Sequence, residues 1–240
     1  MSMLVDLLQQ LPESDIDEAN LGVEGAASIP QYWPWDPDRF AQEQIRGLVR
    51  QVFLSGPKPT RQVVFSAVDD RNIAAFCMQV GEALSAQTPG SVCVVEASPR
   101  GSTLRSPAVN RERTAAPRGF GSLRESARQI SNKLWLAAMD IFRCENENAV
   151  SGEWLRSTLR ELRLEFDYTV FHGPPAGLYS ETALLGQMSD GVVLLLQANS
   201  TRRVAAQKVI QKLHAVNVRL LGTVLNDRTF PIPEKIYRKL

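Results

Sequence analysis

The residues of this chain that could do chemistry lie in the turns that follow its predicted strands. Residues 63–66, Val-Val-Phe-Ser, predict a buried strand, and the turn after it reads Ala-Val-Asp-Asp-Arg-Asn-Ile-Ala over residues 67–74. A turn between a strand and a helix is where a phosphate-binding loop would lie. Such a loop needs glycines, so that backbone N–H groups can approach the phosphates, and a lysine that neutralises them. This turn has neither, and Asp69 and Asp70 place negative charge there instead.

Other catalytic chemistry is not indicated by the motifs of the chain. Neither Gly-x-Ser-x-Gly nor His-Glu-x-x-His occurs. The two histidines, His172 and His214, are far apart in sequence and give no metal-ligand pattern. Cys77, Cys93 and Cys144 are an odd number without paired spacing, which indicates reduced thiols in a cytoplasmic protein. No metal ligand and no catalytic residue are therefore predicted.

Length and charge limit the remaining classes. The 240 residues, with a hydrophobic content of 44%, predict one large soluble domain or one domain with arms. A net charge of +1 gives no overall attraction to nucleic acid or membrane. No apolar run approaches the roughly 20 residues of a membrane-spanning helix. No basic residue precedes Arg39, so no signal peptide is expected.

Charge also divides the chain into regions. Residues 1–38 carry eight acids and no base, which predicts an acidic N-terminal arm. Residues 39–240 are expected to form one α/β domain. Within it, residues 100–128 contain seven arginines against Glu112 and Glu125, which predicts a long basic loop. This loop is open to three interpretations: a solvated insertion, an anion-binding surface, or a partner for the acidic arm.

Alternation of apolar runs and helical patterns predicts a mostly parallel central sheet with helices on both faces. Continuous runs such as residues 192–196 suit strands that are covered on both sides. Strands are predicted at 62–65, 91–96, 134–138, 168–171, 191–197 and 220–225. Helices are predicted at 39–54, 72–86, 153–164, 180–188 and 202–216.

Three stretches carry a resemblance to a known family. Residues 43–50 read Glu-Gln-Ile-Arg-Gly-Leu-Val-Arg, and residues 166–175 read Phe-Asp-Tyr-Thr-Val-Phe-His-Gly-Pro-Pro. A closing half follows, with Asp-Gly-Val-Val-Leu-Leu-Leu at 190–196, Thr-Arg-Arg at 201–203 and Leu-Gly-Thr-Val-Leu-Asn at 221–226. Together they resemble the bacterial tyrosine kinases of capsule and exopolysaccharide assembly, a branch of the MinD/ParA-type P-loop ATPases. The resemblance implies a P-loop NTPase-like fold.

The resemblance also implies a phosphate loop, whose residues have changed here. Matching the helix that follows the loop puts Ile73 at the position of the lysine and Ala74 at that of the Mg²⁺-binding Ser or Thr. Asp70 and Asn72 then replace glycines. Asp69 and Arg71 complete a degenerate phosphate loop.

The carboxylates that the family uses for metal binding are altered as well. Its Asp-x-Asp motif after the second strand is Glu96-Ala97-Ser98 here, so only the first carboxylate is kept. The Walker B aspartate falls on His172, which we interpret as a strand-end histidine rather than a ligand. The C-terminal tyrosine cluster is missing, since only Tyr237 lies near the end.

Two further features of the resemblance leave alternatives open. Glu43 and Arg46 match the helix through which the kinases self-associate, with Val49 at its second arginine and Arg50 one residue later. The alternative is a solvated helix face with an i,i+3 ion pair. Asn226 lies where relatives contact the adenine base, or it is a strand-end cap.

These departures predict a non-catalytic pseudo-kinase that acts as an adaptor or regulator of polysaccharide assembly and export. It would lie in the cytoplasm, recruited to the inner face of the membrane by a membrane-bound chain-length protein (co-polymerase) or by an active kinase homologue, and could form homo-oligomers. No cofactor and no nucleic-acid partner are expected. The alternatives are a kinase or ATPase that binds ATP with Mg²⁺ through an atypical phosphate site using Arg71 or the basic loop, and a positioning protein of the ParA/MinD kind.

Overall fold

The computed structural model describes residues 37–56, 59–97, 122–137 and 152–227 of the chain. The strands are β1 Gln62–Ala67, β2 Val92–Glu96, β3 Arg128–Ser131, β4 Leu134–Ala137, β5 Tyr168–His172, β6 Gly191–Gln197 and β7 Leu220–Asn226. The helices are α1 Pro37–Val49, which continues as a π-helical segment Arg50–Leu54, then α2 Ala74–Gln87, α3 Leu123–Ser126, α4 Gly152–Glu165, α5 Glu181–Met188 and α6 Arg203–Ala215.

The seven strands form a single sheet in the order β3-β4-β2-β5-β1-β6-β7. Every neighbouring pair is parallel except β3 with β4. The mostly parallel sheet expected from the sequence is therefore confirmed. Because parallel strands end at the same edge, the turns after β1, β2, β5 and β6 are brought together at one end of the sheet.

Side chains on the central strands alternate between two cores. Val63 and Phe65 of β1 pack with residues of α1 and α2 on one face. Val64, between them, packs with residues of α4, α5 and α6 on the other face. All six residues of β1 are buried, as expected for a strand covered on both sides.

Part of the predicted basic loop is folded. Within residues 100–128, the last stretch forms α3, and β3 begins at Arg128. Arg124 of α3 packs against two aromatic rings of the core. Its guanidinium carbon lies 4.3 Å from the ring centre of Trp135 and 5.2 Å from that of Phe166, which holds α3 against the domain. Residues 98–121 lie outside the described part of the chain. The predicted arm does as well, except that its last two residues, 37 and 38, belong to α1.

The aspartates of the matched motifs lie at the opposite end of the sheet from the candidate site. Asp190 Oδ2 accepts hydrogen bonds from the backbone N–H groups of Arg61 (2.7 Å) and Gln62 (2.8 Å). Asp167 Oδ2 accepts from the backbone N–H of Ser91 (2.8 Å) and from its hydroxyl (2.9 Å). Both carboxylates thus hold the beginning of a neighbouring strand in place, which is a structural role.

This arrangement makes the contribution of Asp167 dependent on pH. The bonds from Ser91, with a smaller effect of Arg61, hold the pKa of the Asp167 carboxyl below its ordinary value. A carboxyl whose pKa is lower in the folded state stabilises the fold above its unfolded-state pKa and loses that effect as pH falls through the folded value. We expect Asp167→Asn to lower the free energy of unfolding by about 1 kcal/mol at neutral pH.

The loss should begin to shrink below about pH 4, where the carboxyl of the unfolded chain becomes protonated, and should disappear as pH falls through the lower pKa of the folded carboxyl. Urea unfolding across pH measures it, and Glu161→Gln on α4 is the control for removing an exposed carboxylate. A difference between Asp167→Asn and wild type that stays constant from neutral to acidic pH would contradict this role.

Candidate nucleotide site

The turn after β1 is hydrogen-bonded to one of its own side chains, whereas a phosphate loop leaves its backbone N–H groups available to a ligand. Asn72 Oδ1 accepts a hydrogen bond from the backbone N–H of Ala74 at 2.8 Å, at the start of α2. One of the N–H groups that would face a phosphate is therefore bonded to a carboxamide of the same turn. Ile73, at the position of the lysine, is 5% exposed and packs in the core beneath α2.

The same turn is tied to the turn after β6. Thr201 Oγ1 donates to Asp69 Oδ2 at 3.2 Å, and the guanidinium of Arg71 donates to Ser200 Oγ at 3.2 Å. The backbone N–H of Val68 also donates to the carbonyl of Leu195 in β6. The charged groups of the degenerate loop thus have partners in the protein.

The segment after β5 packs directly against the end of β1. The Ser66 hydroxyl donates to the carbonyl of Pro174 at 2.6 Å, and the N–H of Ala176 donates to the carbonyl of Ala67 at 2.8 Å. A Cβ at Gly177 would lie 2.3 Å from the carbonyl oxygen of Val68, so only glycine permits this close approach. The turns after β1, β5 and β6 therefore form one connected surface.

Beneath these turns lies a buried pair that the sequence did not predict. Glu96 ends β2, His172 ends β5, and the two are direct partners in the parallel ladder. Nδ1 of His172 lies 2.7 Å from Oε1 of Glu96, although the groups are not aligned for a hydrogen bond. Side-chain exposure is 0% for Glu96 and 5% for His172. The contact is therefore electrostatic and shielded from water.

The effect of the Glu96 carboxylate reaches α2. Burial, together with this carboxylate, raises the pKa of the Cys77 thiol. Cys77 is therefore a packed, unreactive thiol rather than a nucleophile.

These residues do not fit a magnesium–nucleoside triphosphate. Mg²⁺ prefers oxygen ligands in an octahedral arrangement, whereas the carboxylate of Glu96 faces an imidazole. Asp69 and Asp70 add negative charge at the turn, and the apolar side chain of Ile73 is buried there. Ser98, the remaining residue of the altered Asp-x-Asp motif, lies outside the described residues.

The other residues singled out from the sequence lie away from this end of the sheet or at its border. Glu43 and Arg46 of α1 form an exposed ion pair at 2.5 Å with i,i+3 spacing, and Arg50 donates to Gln87 Oε1 at 2.8 Å. The ion pair is the one expected of a solvated helix face. Asn226 ends β7, and its carbonyl accepts a hydrogen bond from the N–H of Ala198.

Comparison with known proteins separates sequence similarity from likeness in fold. No protein-family model matches the chain. The tyrosine-protein kinase YwqD of Bacillus subtilis is 27% identical over 79 residues, 33% of this chain and 33% of that protein. The tyrosine-protein kinase CpsD of Streptococcus agalactiae is 33% identical over 77 residues, 32% of this chain and 34% of its own length. Over about a third of its length, the chain is similar in sequence to bacterial tyrosine kinases.

This similarity spans about a third of the curated relatives' length, and solved structures extend the likeness in fold. The kinase domain of VpsO superposes with a TM-score of 0.58 at 16% identity, covering 80% of this chain and 98% of that one. The kinase domain of the Escherichia coli tyrosine kinase ETK gives 0.58 at 15% identity, covering 80% and 79%. The MinC:MinD complex of Aquifex aeolicus gives 0.51 at 13% identity, covering 69% and 67%. The fold is that of the MinD/ParA-like P-loop ATPases.

Among the helices in the described part of this chain, none is both long and apolar enough to cross a bilayer.

Proposed function

We propose that this relative of the exopolysaccharide tyrosine kinases is non-catalytic and acts as an adaptor or regulator of polysaccharide assembly or export. The observation that carries the proposal is the buried pair of Glu96 and His172, 2.7 Å apart where relatives are expected to hold a metal. A buried imidazole cannot replace a carboxylate as a Mg²⁺ ligand, and here it lies directly against the one carboxylate that remains.

The closed turn after β1 supports the same proposal. Its N–H group at Ala74 and its carboxylate at Asp69 are bonded within the protein. The seven-stranded sheet forms nevertheless, and a folded domain can present surfaces to partners without turnover. We propose the cytoplasm as its location and a membrane-bound co-polymerase, or an active kinase homologue, as its docking partner.

Titration calorimetry with ATP and ADP, with and without Mg²⁺, tests the proposal. We expect no heat of binding at millimolar nucleotide, because the turn offers negative charge and bonded amides in place of a phosphate cradle. CpsD of Streptococcus agalactiae, titrated under the same conditions, is the positive control for nucleotide quality. Micromolar binding that depends on Mg²⁺ would overturn the proposal.

One observation favours a second candidate, an ATPase or kinase with an atypical phosphate site. Arg71 is exposed at the turn, and the Ser200 hydroxyl to which it donates a hydrogen bond is neutral. A guanidinium binds phosphate oxygens well, so Arg71 could serve in place of the lysine. If the titration shows binding, Arg71→Gln should abolish it, whereas Arg156→Gln on α4 should leave it unchanged.

A further inference from the structure

An open groove lies between α6 and β7, on the face of the sheet that α6 covers. Its volume is about 670 Å³. The apolar part of its lining comes from Leu196, Ile210 and Leu225, and Arg203 and Gln207 of α6 contribute polar groups. A groove of this size with apolar walls and a few polar groups has the character of a recognition site.

The strand that forms one wall is exposed in a way that stable proteins usually avoid. Within the described residues β7 pairs only with β6, so it is an edge of the sheet. Leu225 of β7 is 56% exposed, and Val204 at the start of α6 is 61% exposed. Edge strands are normally protected by charges, prolines or covering segments, and residues 220–226 contain neither charge nor proline.

The segment that forms α6 and β7 carries charge of one sign. Residues 198–226, which include α6 and β7, contain no Asp or Glu and five Arg or Lys residues. This segment carries +5 in a chain of net +1, so the remainder carries 1 − 5 = −4. The five cations are exposed: Arg202, Arg203, Lys208, Lys212 and Arg219. Asp227 and Asp69 border the groove, and both accept hydrogen bonds from its lining: Asp227 from Gln197 at 2.6 Å and Asp69 from Thr201 at 3.2 Å.

We infer that the groove between α6 and β7 binds an acidic, amphipathic segment of a partner protein. Apolar side chains of that segment would cover Leu225 and Ile210, and its carboxylates would lie near Arg203. The inference rests on the proposed function, since an adaptor needs a face on which its partner docks. It names the chemistry of that partner.

Two other polyanions fit the groove less well. Residues 198–226 contain no Phe, Tyr or Trp, so the stacking that binds single-stranded nucleic acid has no platform there. A membrane surface is usually held by Trp, Phe or Leu on a helix, whereas α6 exposes only Val204 among its large apolar residues. An apolar groove beside a cation suits an amphipathic peptide, whose apolar face enters the groove while its acidic groups lie near the cation.

The test is the binding of a fluorescein-labelled amphipathic peptide, with Leu on one face of its helix and Glu on the other. Binding to the full chain is measured by fluorescence anisotropy. We expect saturable binding that weakens with added salt. Arg203→Gln should weaken it about two- to fivefold, the effect of one exposed ion pair. Leu225→Gln should weaken it about tenfold, because a half-exposed leucine no longer becomes buried on binding.

Two matched variants separate the groove from general attraction. Lys212→Gln removes the same charge from the same helix, about 13 Å farther along its axis and outside the groove lining. Leu164→Gln removes an 82% exposed leucine from α4. Both should bind the peptide as wild type does. Thermal unfolding midpoints of all four variants confirm that each remains folded.

Duplex DNA, poly-glutamate and phosphatidylserine vesicles are the competing probes. Absence of peptide binding, tighter binding of DNA or vesicles than of the peptide, or an equal effect of Lys212→Gln and Arg203→Gln would each overturn the inference. Nucleotide titration of the same samples keeps the two proposals apart. If the protein binds ATP with Mg²⁺ and its peptide binding depends on Arg203 and Leu225, the proposed function is overturned and the inference about the groove stands.

Discussion

Replacing His172 with alanine is expected to lower the free energy of unfolding by about 3–5 kcal/mol, because it leaves a cavity in the core and removes the imidazole that lies against the buried carboxylate of Glu96. The carboxylate of Glu96 is 0% exposed and lies 2.7 Å from the imidazole. Urea unfolding of wild type and variant at neutral pH measures the loss.

The same experiment separates charge from packing. Glu96→Gln with His172→Ala removes the carboxylate and the imidazole together, so no buried carboxylate is left beside the cavity. We expect the double variant to be more stable than the sum of the single losses predicts, with a coupling of about 1–3 kcal/mol. A single His172→Ala variant within about 1 kcal/mol of wild type would show that the pair contributes little.

The sequence could predict the sheet because its strands carry strong local signals. Residues 192–195 are a continuous Val and Leu run, and all four are buried in β6. Such a run has only one favourable place in a parallel sheet, between two covered faces. The order of apolar strands and amphipathic helices then limits the topology to a small set.

The elements that the sequence did not predict depend on contacts between distant residues. β3 is four exposed residues in an arginine-rich stretch, so it has no periodic pattern of its own. Its neighbour α3 is fixed by Glu165, whose carboxylate accepts from the N–H groups of Leu123 (3.1 Å) and Arg124 (2.6 Å). A hydrogen bond between residues more than 40 positions apart produces no pattern in the local sequence from which α3 could be predicted.

The candidate site shows the same division. The absence of glycine and lysine from residues 67–74 could be found in the sequence alone. The pairing of Glu96 with His172 required the knowledge that β2 and β5 are neighbours and end in register. Likewise, the ties of Asp69 to Thr201 and of Arg71 to Ser200 follow from strand order, which brings the turns after β1 and β6 together.

Ile73→Lys, which restores the type of residue that a phosphate loop carries at this position, is expected to destabilise the protein rather than create a nucleotide site. Ile73 is 5% exposed and packs with Cys77 and other apolar residues under α2. A lysine there would bury its ammonium without a partner or force the turn open. We expect the free energy of unfolding to fall by about 3 kcal/mol or more.

Ile73→Met is the matched control, because it keeps an apolar side chain of similar volume and should cost less than about 1.5 kcal/mol. Thermal unfolding of both variants with and without ATP and Mg²⁺ provides the decisive comparison. In a working phosphate loop the ligand would neutralise the new lysine and raise its midpoint. Here Asp69 is bonded to Thr201 and Asn72 to the N–H of Ala74, so the turn gives the phosphates no cradle. A rise in the midpoint of Ile73→Lys with nucleotide would mean that one substitution separates this turn from a functional loop, and the proposal of a non-catalytic role would fail with it.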